Sequence, residues 1–537
     1  PPPRSTLFPY TTLFRSGGFN IRGDTTTLRG GPAANDYNAM ASLLLGLARE
    51  AGKNVLTIPR LETRTRNYSL YVRDRWQLSP RLTLSYGVRW EYYPIPTRPG
   101  RGLERYDFNT NEVLVCGTGS VPKDCGVPQS KRNFAPRAGI AWRATDTFVV
   151  RAGYGLTYDP FNIGRELRGE YPTQYAMTLA YPDTRAWSTT LDSGLPAISP
   201  APQGERIPMP LNAAVLTLDD NYRRGYIQSW NFTLEKQWGQ WIASAGYVGT
   251  RSVRQSAFLN VNYGLPGTGN QGRPLFQKFG RAANTAVLGH IGMAKYDGLQ
   301  TRLQRRFRGY ALNLAYTWSH SRGYKTESSV GSPLVAIPAY WDKNYGPTPR
   351  DLRHNFMASA VVELPFGPGK RWAAAGPAAR ILGGWQANSV AALQTGFPVT
   401  PSANATVLNA PNSSNFADCL GPVKKIGTPS QWWDRSALAD PNQVDRTTPR
   451  FGTCGTGVLR GPGVINLDVG LFRKFRVTER FDAQFRAEAF NISNTPHFED
   501  PAANISASNF GVVSAVKNMG REGLDQRLIR FGLRVGW

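Results

Sequence analysis

The feature that most limits the fold of this sequence is strict alternation of apolar and polar residues in repeated short stretches. In Leu82–Tyr92, large apolar or aromatic side chains occupy every second position, and threonine, serine, glycine, arginine and glutamate lie between them. Successive side chains of a β-strand point to opposite faces. This stretch therefore predicts a strand with one apolar face and one polar face, and residues 68–77, joined to it by 78–81, predict its hairpin partner.

The same hairpin pattern recurs along the chain and predicts 13 strands, with one or two more within 17–60 or 171–181. Long irregular segments separate the hairpins, whereas most turns within them are short, and this asymmetry is typical of an outer-membrane barrel. The other strands are predicted at 137–143, 148–158, 230–234, 241–247, 299–307, 310–318, 356–364, 385–393, 467–471, 481–489 and 529–537. The long segments lie at about 93–133, 159–225, 250–295, 320–351, 398–463 and 492–526.

These patterns predict an all-β chain, a transmembrane antiparallel up-and-down β-barrel with long extracellular loops. No apolar run approaches the roughly 20 residues of a membrane helix, and the longest, at 39–48, is half that length. The alternative is a soluble β-sandwich, whose strands are shorter, about five or six residues. Tyrosine and tryptophan at the strand ends favour the barrel, because aromatic side chains line both membrane interfaces.

The chain is strongly basic, with 63 Lys and Arg against 37 Asp and Glu and a formal net charge of +26. Nucleic-acid binding proteins gather such charge in a patch or tail, whereas here the basic residues are scattered singly. We therefore expect no nucleic-acid partner. A barrel that faces phosphorylated surface lipid, or one with a cationic lumen, fits the scattering better, and a soluble basic polyanion-binding β protein is the remaining alternative.

The cysteines are Cys116, Cys125, Cys419 and Cys454, and four cysteines allow three pairings. Sequence order favours disulfides between the first two and between the last two, each within one loop-like segment, in an oxidising compartment. Four unrelated free thiols are the alternative. The sequence contains no CxxC and its four histidines are far apart, so we expect no metal site.

No catalytic pattern is present, since neither HExxH nor GxSxG occurs. Residues 267–272 match GxGxxG, but no strand-then-helix context surrounds them, which indicates an outer loop. The acid pairs Asp219-Asp220 and Glu499-Asp500 are interpreted as solvated loop charge. We therefore expect no enzymatic activity, no catalytic residue and no cofactor.

The end of the chain resembles the signal by which the bacterial β-barrel assembly machinery recognises outer-membrane proteins. Its four positions are filled by Arg530, Gly532, Val535 and Trp537. The resemblance implies that this machinery is a partner and that the protein lies among the lipids of the bacterial cell outer membrane.

Several segments together resemble one family, the TonB-dependent outer-membrane receptors that carry an N-terminal carboxypeptidase-regulatory-like domain. The similar segments are YVRDRW at 71–76, PRLTLSYGVRWEY at 80–92, NFAPRAG at 133–139, DLRHNF at 351–356 and FNISNTPHF at 490–498. The resemblance implies a plugged barrel of about 22 strands and energised uptake, in which TonB pulls the plug aside. It does not select the small ligand, since iron chelates, cobalamin, glycans and peptides all use this architecture.

The sequence departs from that family plan, because it shows no signal peptide, regulatory-like domain, plug or TonB box. We interpret residues 67–537 as the C-terminal part of the barrel, with about 13 to 16 of its 22 strands. Residues 17–66 are interpreted as a loop or early barrel segment, and residues 1–16 as translated sequencing-adapter read-through. Contact with TonB would require missing N-terminal parts. A structure should show an open sheet or a forced smaller closure.

Arginines opposite the apolar positions are the candidate lumen residues, because an arginine facing lipid near the midplane costs about 2–4 kcal/mol. They either pair with carboxylates of the barrel or plug, or form an electropositive path for an anionic ligand. These arginines are Arg73, Arg89, Arg137, Arg151, Arg302, Arg306, Arg530 and Arg534. The expected carboxylate partners are Asp74, Glu91, Glu235, Glu363, Asp468, Asp482 and Glu488.

The adjacent indoles Trp432 and Trp433 in a long loop are candidate ligand contacts that could stack on a sugar or a chelate, or else form a small loop core. For the whole chain, the alternatives to a receptor are a passive porin-like channel and a surface adhesin built on a barrel.

Overall fold

In the computed structural model of the chain, 13 long strands follow one another in a single antiparallel sheet, in sequence order. The structure describes residues 17–28, 34–58, 60–160, 162–180, 186–197, 203–307, 309–324, 334–445, 447–476, 481–519 and 525–536. The strands are β1 Tyr68–Ser79, β2 Leu82–Tyr92, β3 Asn133–Thr145, β4 Phe148–Tyr158, β5 Tyr226–Trp238, β6 Trp241–Asn260, β7 Thr285–Phe307, β8 Tyr310–Tyr324, β9 His354–Glu363, β10 Trp385–Gln394, β11 Val464–Arg476, β12 Asp482–Phe490 and β13 Leu528–Gly536. The predicted all-β fold class is confirmed.

Short and long connections lie at opposite ends of this sheet, because each strand runs antiparallel to the next. Two-residue turns close β1–β2, β3–β4 and β5–β6, and β7 and β8 are two residues apart in sequence. In the β5–β6 turn Gly239 has φ 55°, a left-handed conformation that glycine adopts without strain. We call the end with these turns the turn end and the opposite end, where the long connections lie, the loop end.

The pairing register divides the strand side chains into two continuous faces, since residues opposite each other in an antiparallel pair share a face. On one face Arg89 lies opposite Ala135, and Arg302 lies opposite Ser244 and Ala315. On the other face Trp230 lies opposite Tyr154, and Leu314 lies opposite Leu303 and Ala358. We call these the polar face and the apolar face.

The sheet is open. Among the described residues β1 pairs only with β2, and β13 pairs only with β12. Two short strands extend the sheet at the loop end: Val215–Leu218 beside β7 and Tyr345–Pro347 beside β8. The first and thirteenth strands are therefore both edges, the open form expected for a barrel that lacks strands.

The N-terminal described segment does not join this sheet. In a separate three-stranded sheet, Gly18–Asn20 pairs with one side of Glu50–Leu56, and Gln174–Ala180 pairs with the other. Of the two interpretations of residues 17–66, a loop or an early barrel segment, the second is wrong for these strands, because the third strand of their sheet comes from the segment between β4 and β5. Residues 1–16 lie outside the described residues.

The remaining elements are small and belong to the connections. The helices are α1 Asp36–Leu44, α2 Ile163–Glu166, α3 Pro274–Phe279, α4 Gly376–Leu382 and α5 Pro441–Val444, with 3-10 turns at Gly23–Thr26, Gly269–Gly272, Pro338–Asn344 and Arg435–Ala437. Short strands pair as Leu47–Ala48 with Thr189–Thr190, Glu112–Val115 with Glu104–Asp107 and Arg206–Pro208, Pro398–Val399 with Leu459–Arg460, Ser402–Ala403 with Asn415–Phe416, Asp418–Cys419 with Leu438–Ala439, and Lys425–Thr428 with Gln431–Trp433. Within the described residues, no helix is long and apolar enough to cross a membrane.

Most buried apolar side chains lie in the long connections rather than in the sheet. Three clusters hold most of them: one includes Phe416 and Trp433, one includes Leu103 and Leu167, and one includes Tyr106. We call the described residues of 93–132, 159–225, 261–284, 334–353, 395–463 and 491–527 the loop lobe. Its connections thus have hydrophobic cores of their own.

Candidate functional site

The candidate functional groups lie in two parts of the molecule: the loop lobe, with its buried ion pairs and hydrogen bonds, and the polar face, with its arginines. In the largest lobe cluster, Trp432 and Trp433 are only 5% and 2% exposed. Both indole N–H groups donate to the carbonyl of Arg460, at 3.3 and 2.9 Å. The interpretation of these indoles as ligand contacts is therefore wrong for this structure, because their rings are packed against Phe498 and Phe510.

Two disulfides lie within the lobe clusters. Cys116 is bonded to Cys125 and Cys419 to Cys454, with Cα atoms 5.1 and 4.9 Å apart. The bond Cys116–Cys125 lies in the cluster around Leu103, and Cys454 is buried beside Phe416. Each bond joins two points of the same long connection, and the pairing is the one that sequence order favours.

Buried charges join connections that are far apart in sequence. Arg98 and Glu104 are 4% exposed each and form an ion pair at 2.6 Å, and Arg98 also donates to the carbonyl of Arg168 at 3.0 Å. Near this pair the Glu170 carboxylate accepts a hydrogen bond from the Leu216 N–H at 2.8 Å. Burial raises the pKa of Glu170 to about 8. Sequence reasoning missed these groups, since nothing in the local pattern marks a buried charge.

Asp351 is the centre of a polar cluster at the loop end of β8 and β9. Its side chain is fully buried and lies 3.3 Å from His320 Nδ1 and 3.4 Å from Arg353 Nε. It accepts the Ser321 N–H at 2.6 Å and forms an ion pair with Arg460 from another connection. Burial alone would raise the pKa of Asp351, but these hydrogen bonds outweigh it and hold the pKa below its usual range. The segment at 351–356 thus anchors two loops to each other.

A second polar anchor follows the end of β12. His497 is 1% exposed, and its Nδ1 lies 2.6 Å from the Asp525 carboxylate. Asn491 has φ 49° and donates to the carbonyls of Thr495 and Asp525, at 2.9 and 2.8 Å. The segment at 490–498 therefore ties its own turn to the residues that lead into β13.

The eight arginines singled out in the sequence all belong to the polar face. Arg151 lies opposite Thr233 and Arg137 opposite Gly87, and the others continue the same face by register. Arg151 pairs with Glu235 at 3.1 Å and Arg89 with Glu91 at 2.7 Å. Their position facing a lumen stays a prediction.

The other carboxylates mostly have different partners. Asp74 lies on the apolar face and accepts the Tyr86 hydroxyl at 2.9 Å, so the expected pairing of Asp74 with these arginines is wrong. Glu363 pairs with Lys370 and Asp482 with Lys474. Within the described residues, no ion pair joins a carboxylate to Arg73, Arg137, Arg302, Arg306, Arg530 or Arg534. The polar face therefore carries excess positive charge.

The other sequence motifs lie as follows. Arg530 and Gly532 of the candidate assembly signal are on the polar face of β13 and Val535 is on the apolar face, whereas Trp537 lies outside the described residues. Residues 267–272 lie in the β6–β7 connection. Asp220 pairs with Arg105 at 3.3 Å. The part of the chain that the structure describes holds no cluster of potential metal ligands.

Comparison with known proteins gives one family and several structural likenesses. A family model described as an outer membrane beta barrel domain matches residues 4–527. No curated protein matches the chain.

Three solved structures illustrate the structural likeness. The outer membrane transporter YddB from Escherichia coli is 12% identical, with a TM-score of 0.42 over 88% of this chain and 54% of that chain. A variant of the ferric enterobactin receptor PfeA from Pseudomonas aeruginosa is 11% identical, with a TM-score of 0.42 over 88% and 45%. The ferripyoverdine receptor of the Pseudomonas aeruginosa outer membrane is 12% identical, with a TM-score of 0.38 over 88% and 39%. The chain thus spans about half or less of the length of these proteins.

Proposed function

The chain belongs to the outer membrane beta barrel domain family and is a protein of the bacterial outer membrane, and from this premise we propose that it is the C-terminal barrel part of a TonB-dependent receptor. In this proposal the complete protein takes up a small ligand in an energised step and is not an enzyme. A plug, a TonB-contacting segment and a carboxypeptidase-regulatory-like domain belong to the part of the receptor that precedes these residues.

The observation that carries the proposal is the open sheet. In the hydrocarbon of a bilayer every backbone N–H and C=O must be paired, and β1 and β13 each leave one side unpaired among the described residues. Further strands must therefore complete the barrel. A barrel of more than 13 strands is too wide to be filled by its own side chains, and its lumen then holds either water or, at about 22 strands, a plug.

The polar face and the loop lobe also support a receptor. Arginines without carboxylate partners on the polar face would find them on a plug domain inside the lumen, because unpaired buried charge is costly. Loops with their own hydrophobic cores and disulfides hold a fixed shape, and a fixed shape lowers the entropy cost of binding a ligand.

Sequencing of the source DNA across the codons for Ser16 and Gly17 tests the proposal. We expect the reading frame to continue upstream through further strands, a plug and a signal peptide. A signal peptide and start codon within a few dozen codons upstream of Gly17 would contradict it, because the protein would then be a complete, smaller barrel.

A passive porin-like channel is the second candidate, and the continuous arginine-bearing polar face favours it, since such a face would suit the wall of a water-filled pore. A surface adhesin is a variant of this candidate. Conductance of the complete protein in a planar bilayer separates the two functions. A steady ionic current supports the porin, and the absence of current supports the plugged receptor.

A further inference from the structure

A cavity of about 430 Å³ lies at the loop end of β2 to β6. Its wall is formed by residues at the ends of β2 and β4, by residues just before β3 and β5, and by one residue of β6. The residues that define it are Tyr93, Arg132, Tyr158, Arg223, Arg224 and Arg254. We call this cavity the rim pocket.

The rim pocket carries four guanidinium groups and no carboxylate on its wall. The carboxylates near it have other contacts. Glu91 pairs with Arg89 at 2.7 Å, Asp220 pairs with Arg105 at 3.3 Å, and Asp219 lies 3.9 Å from His290. Asp159 and Arg224, which contact each other, also have partners. The positive potential of the pocket therefore comes from Arg132, Arg223 and Arg254.

Local contacts and backbone geometry place Arg224 and Arg254 at the pocket. The Arg224 guanidinium lies 4.0 Å from the centre of the Tyr93 ring and donates to the Asp159 carbonyl at 2.6 Å. Arg254 has φ 58°, at the irregular pairing of β6 with β7. A Cβ at Gly225 would lie 2.4 Å from the carbonyl oxygen of Arg254, so the absence of a side chain there lets these two segments meet.

From this arrangement we propose that the rim pocket binds a phosphoryl group. Arginine presents a planar fork of N–H donors that matches phosphate oxygens in pairs, and tyrosine hydroxyls add further donors beside it. The group belongs either to a phosphorylated lipid of the membrane surface or to a soluble phosphorylated ligand. The inference does not depend on TonB, and it holds equally for a plugged receptor and a passive channel.

Binding to the complete protein encoded by the source gene, in detergent micelles, tests the inference, with inorganic pyrophosphate as the soluble probe and lipid A in mixed micelles as the lipid probe. Mixed micelles of lipid A without its phosphates are the lipid control. The test variant is Arg223→Gln with Arg254→Gln. The matched control, Arg371→Gln with Arg380→Gln, removes the same charge at the turn end, between β9 and β10.

We expect the test variant to lose about tenfold in affinity for each guanidinium removed, and the control variant to bind like the parent chain. If the test variant loses only lipid A binding, the pocket binds the phosphate of a surface lipid. If it loses only pyrophosphate binding, the pocket binds a soluble phosphorylated ligand. Loss of both means that the pocket recognises the phosphoryl group whatever molecule carries it. Equal loss in both variants, or no binding of either probe by the parent chain, would overturn the inference.

A measurement on the unsubstituted chain covers the case in which the test variant does not fold. Phenylglyoxal modifies accessible guanidinium groups, and a bound phosphoryl group shields them. The probe that binds should slow modification of Arg223 and Arg254 without slowing that of Arg371. Equal rates with and without both probes would contradict the proposal.

Discussion

At the scale of single residues, Asp351 shows how one carboxylate holds two long connections together. Its side chain is 0% exposed and faces His320, Arg353 and Arg460. A neutral amide in its place would leave three cationic or polar groups without their counter-charge, and removal of one partner of a buried ion pair costs about 3–5 kcal/mol. We therefore expect Asp351→Asn to lower the free energy of unfolding by several kcal/mol, measured by denaturant unfolding followed by tryptophan fluorescence.

The matched control for this substitution is Glu363→Gln at the opposite end of the sheet. Glu363 pairs with Lys370 at 2.7 Å, but its side chain is 51% exposed. Exposed ion pairs contribute about 0–1 kcal/mol, so the control should unfold almost like the parent. Equal effects of the two substitutions would show that Asp351 does not anchor the loops.

Glu170 gives the loop lobe a dependence on pH. Burial raises its pKa from the ordinary 4.5 to about 8, so the folded state holds the proton more tightly than the unfolded state. Between these two values stability falls as the pH rises, by up to about 1.4 kcal/mol per pH unit, and above and below them this contribution is constant. Glu170→Gln cannot ionise and should remove that decline, measured by unfolding at about pH 5 and pH 8.

The control Glu166→Gln alters a carboxylate of the same connection that lies 3.9 Å from Arg165. It should leave the decline between the two pH values in place. Persistence of the decline in Glu170→Gln would assign it to another group.

The residues that sequence reasoning could place are those whose role is set locally. Alternation alone puts Arg151 and Arg302 on one face, and order along the chain favours the two disulfides that the structure contains. Asp351 and Arg460 are separated by 109 residues, and no local pattern records that they meet. For the same reason the sequence did not predict the roles of Glu170 and the rim-pocket arginines. The only local signal was two pairs of adjacent basic residues, at 131–132 and 223–224, just before β3 and β5.

At the scale of elements, the hairpins were predictable and the lobe was not. A hairpin needs only alternation and a turn between neighbouring stretches, and all 13 predicted strands are present in the sheet. The lobe strands pair across long separations, as when Glu50–Leu56 joins Gln174–Ala180. Such pairings depend on the complete packing, so local pattern could not decide whether residues 17–66 form a loop or an early barrel segment.

Two adjacent residues of β10 test which face of the sheet meets lipid. Val390 lies on the polar face opposite Ser359 and Asp468, and Ala391 lies on the apolar face opposite Ala358 and Leu467. An arginine on the lipid side near the midplane costs about 2–4 kcal/mol. We expect Ala391→Arg to reduce sharply the amount of complete protein recovered in the outer membrane, and Val390→Arg to leave most of it there. The reverse order would place the apolar face in the lumen.

At the scale of the whole molecule, the two open edges decide how this chain behaves by itself. β1 spans 12 residues and β13 spans 9, and among the described residues each has a partner on one side only. In water such edges template aggregation, and in lipid their free N–H and C=O groups cost several kcal/mol each. A closed barrel has no such edges, because its first and last strands pair with each other.

We therefore expect residues 17–537 in detergent to give no compact form whose electrophoretic mobility changes on heating, and to insert poorly into membranes. The complete protein encoded by the source gene is the control and should show the heat-dependent shift. Because the lobe has its own cores and disulfides, protease-resistant fragments from 93–225 and 395–527 should survive even where the sheet does not insert. A compact, heat-modifiable form of residues 17–537 would mean that β1 and β13 can close on each other. In that case a small passive channel would explain the molecule better than a plugged receptor.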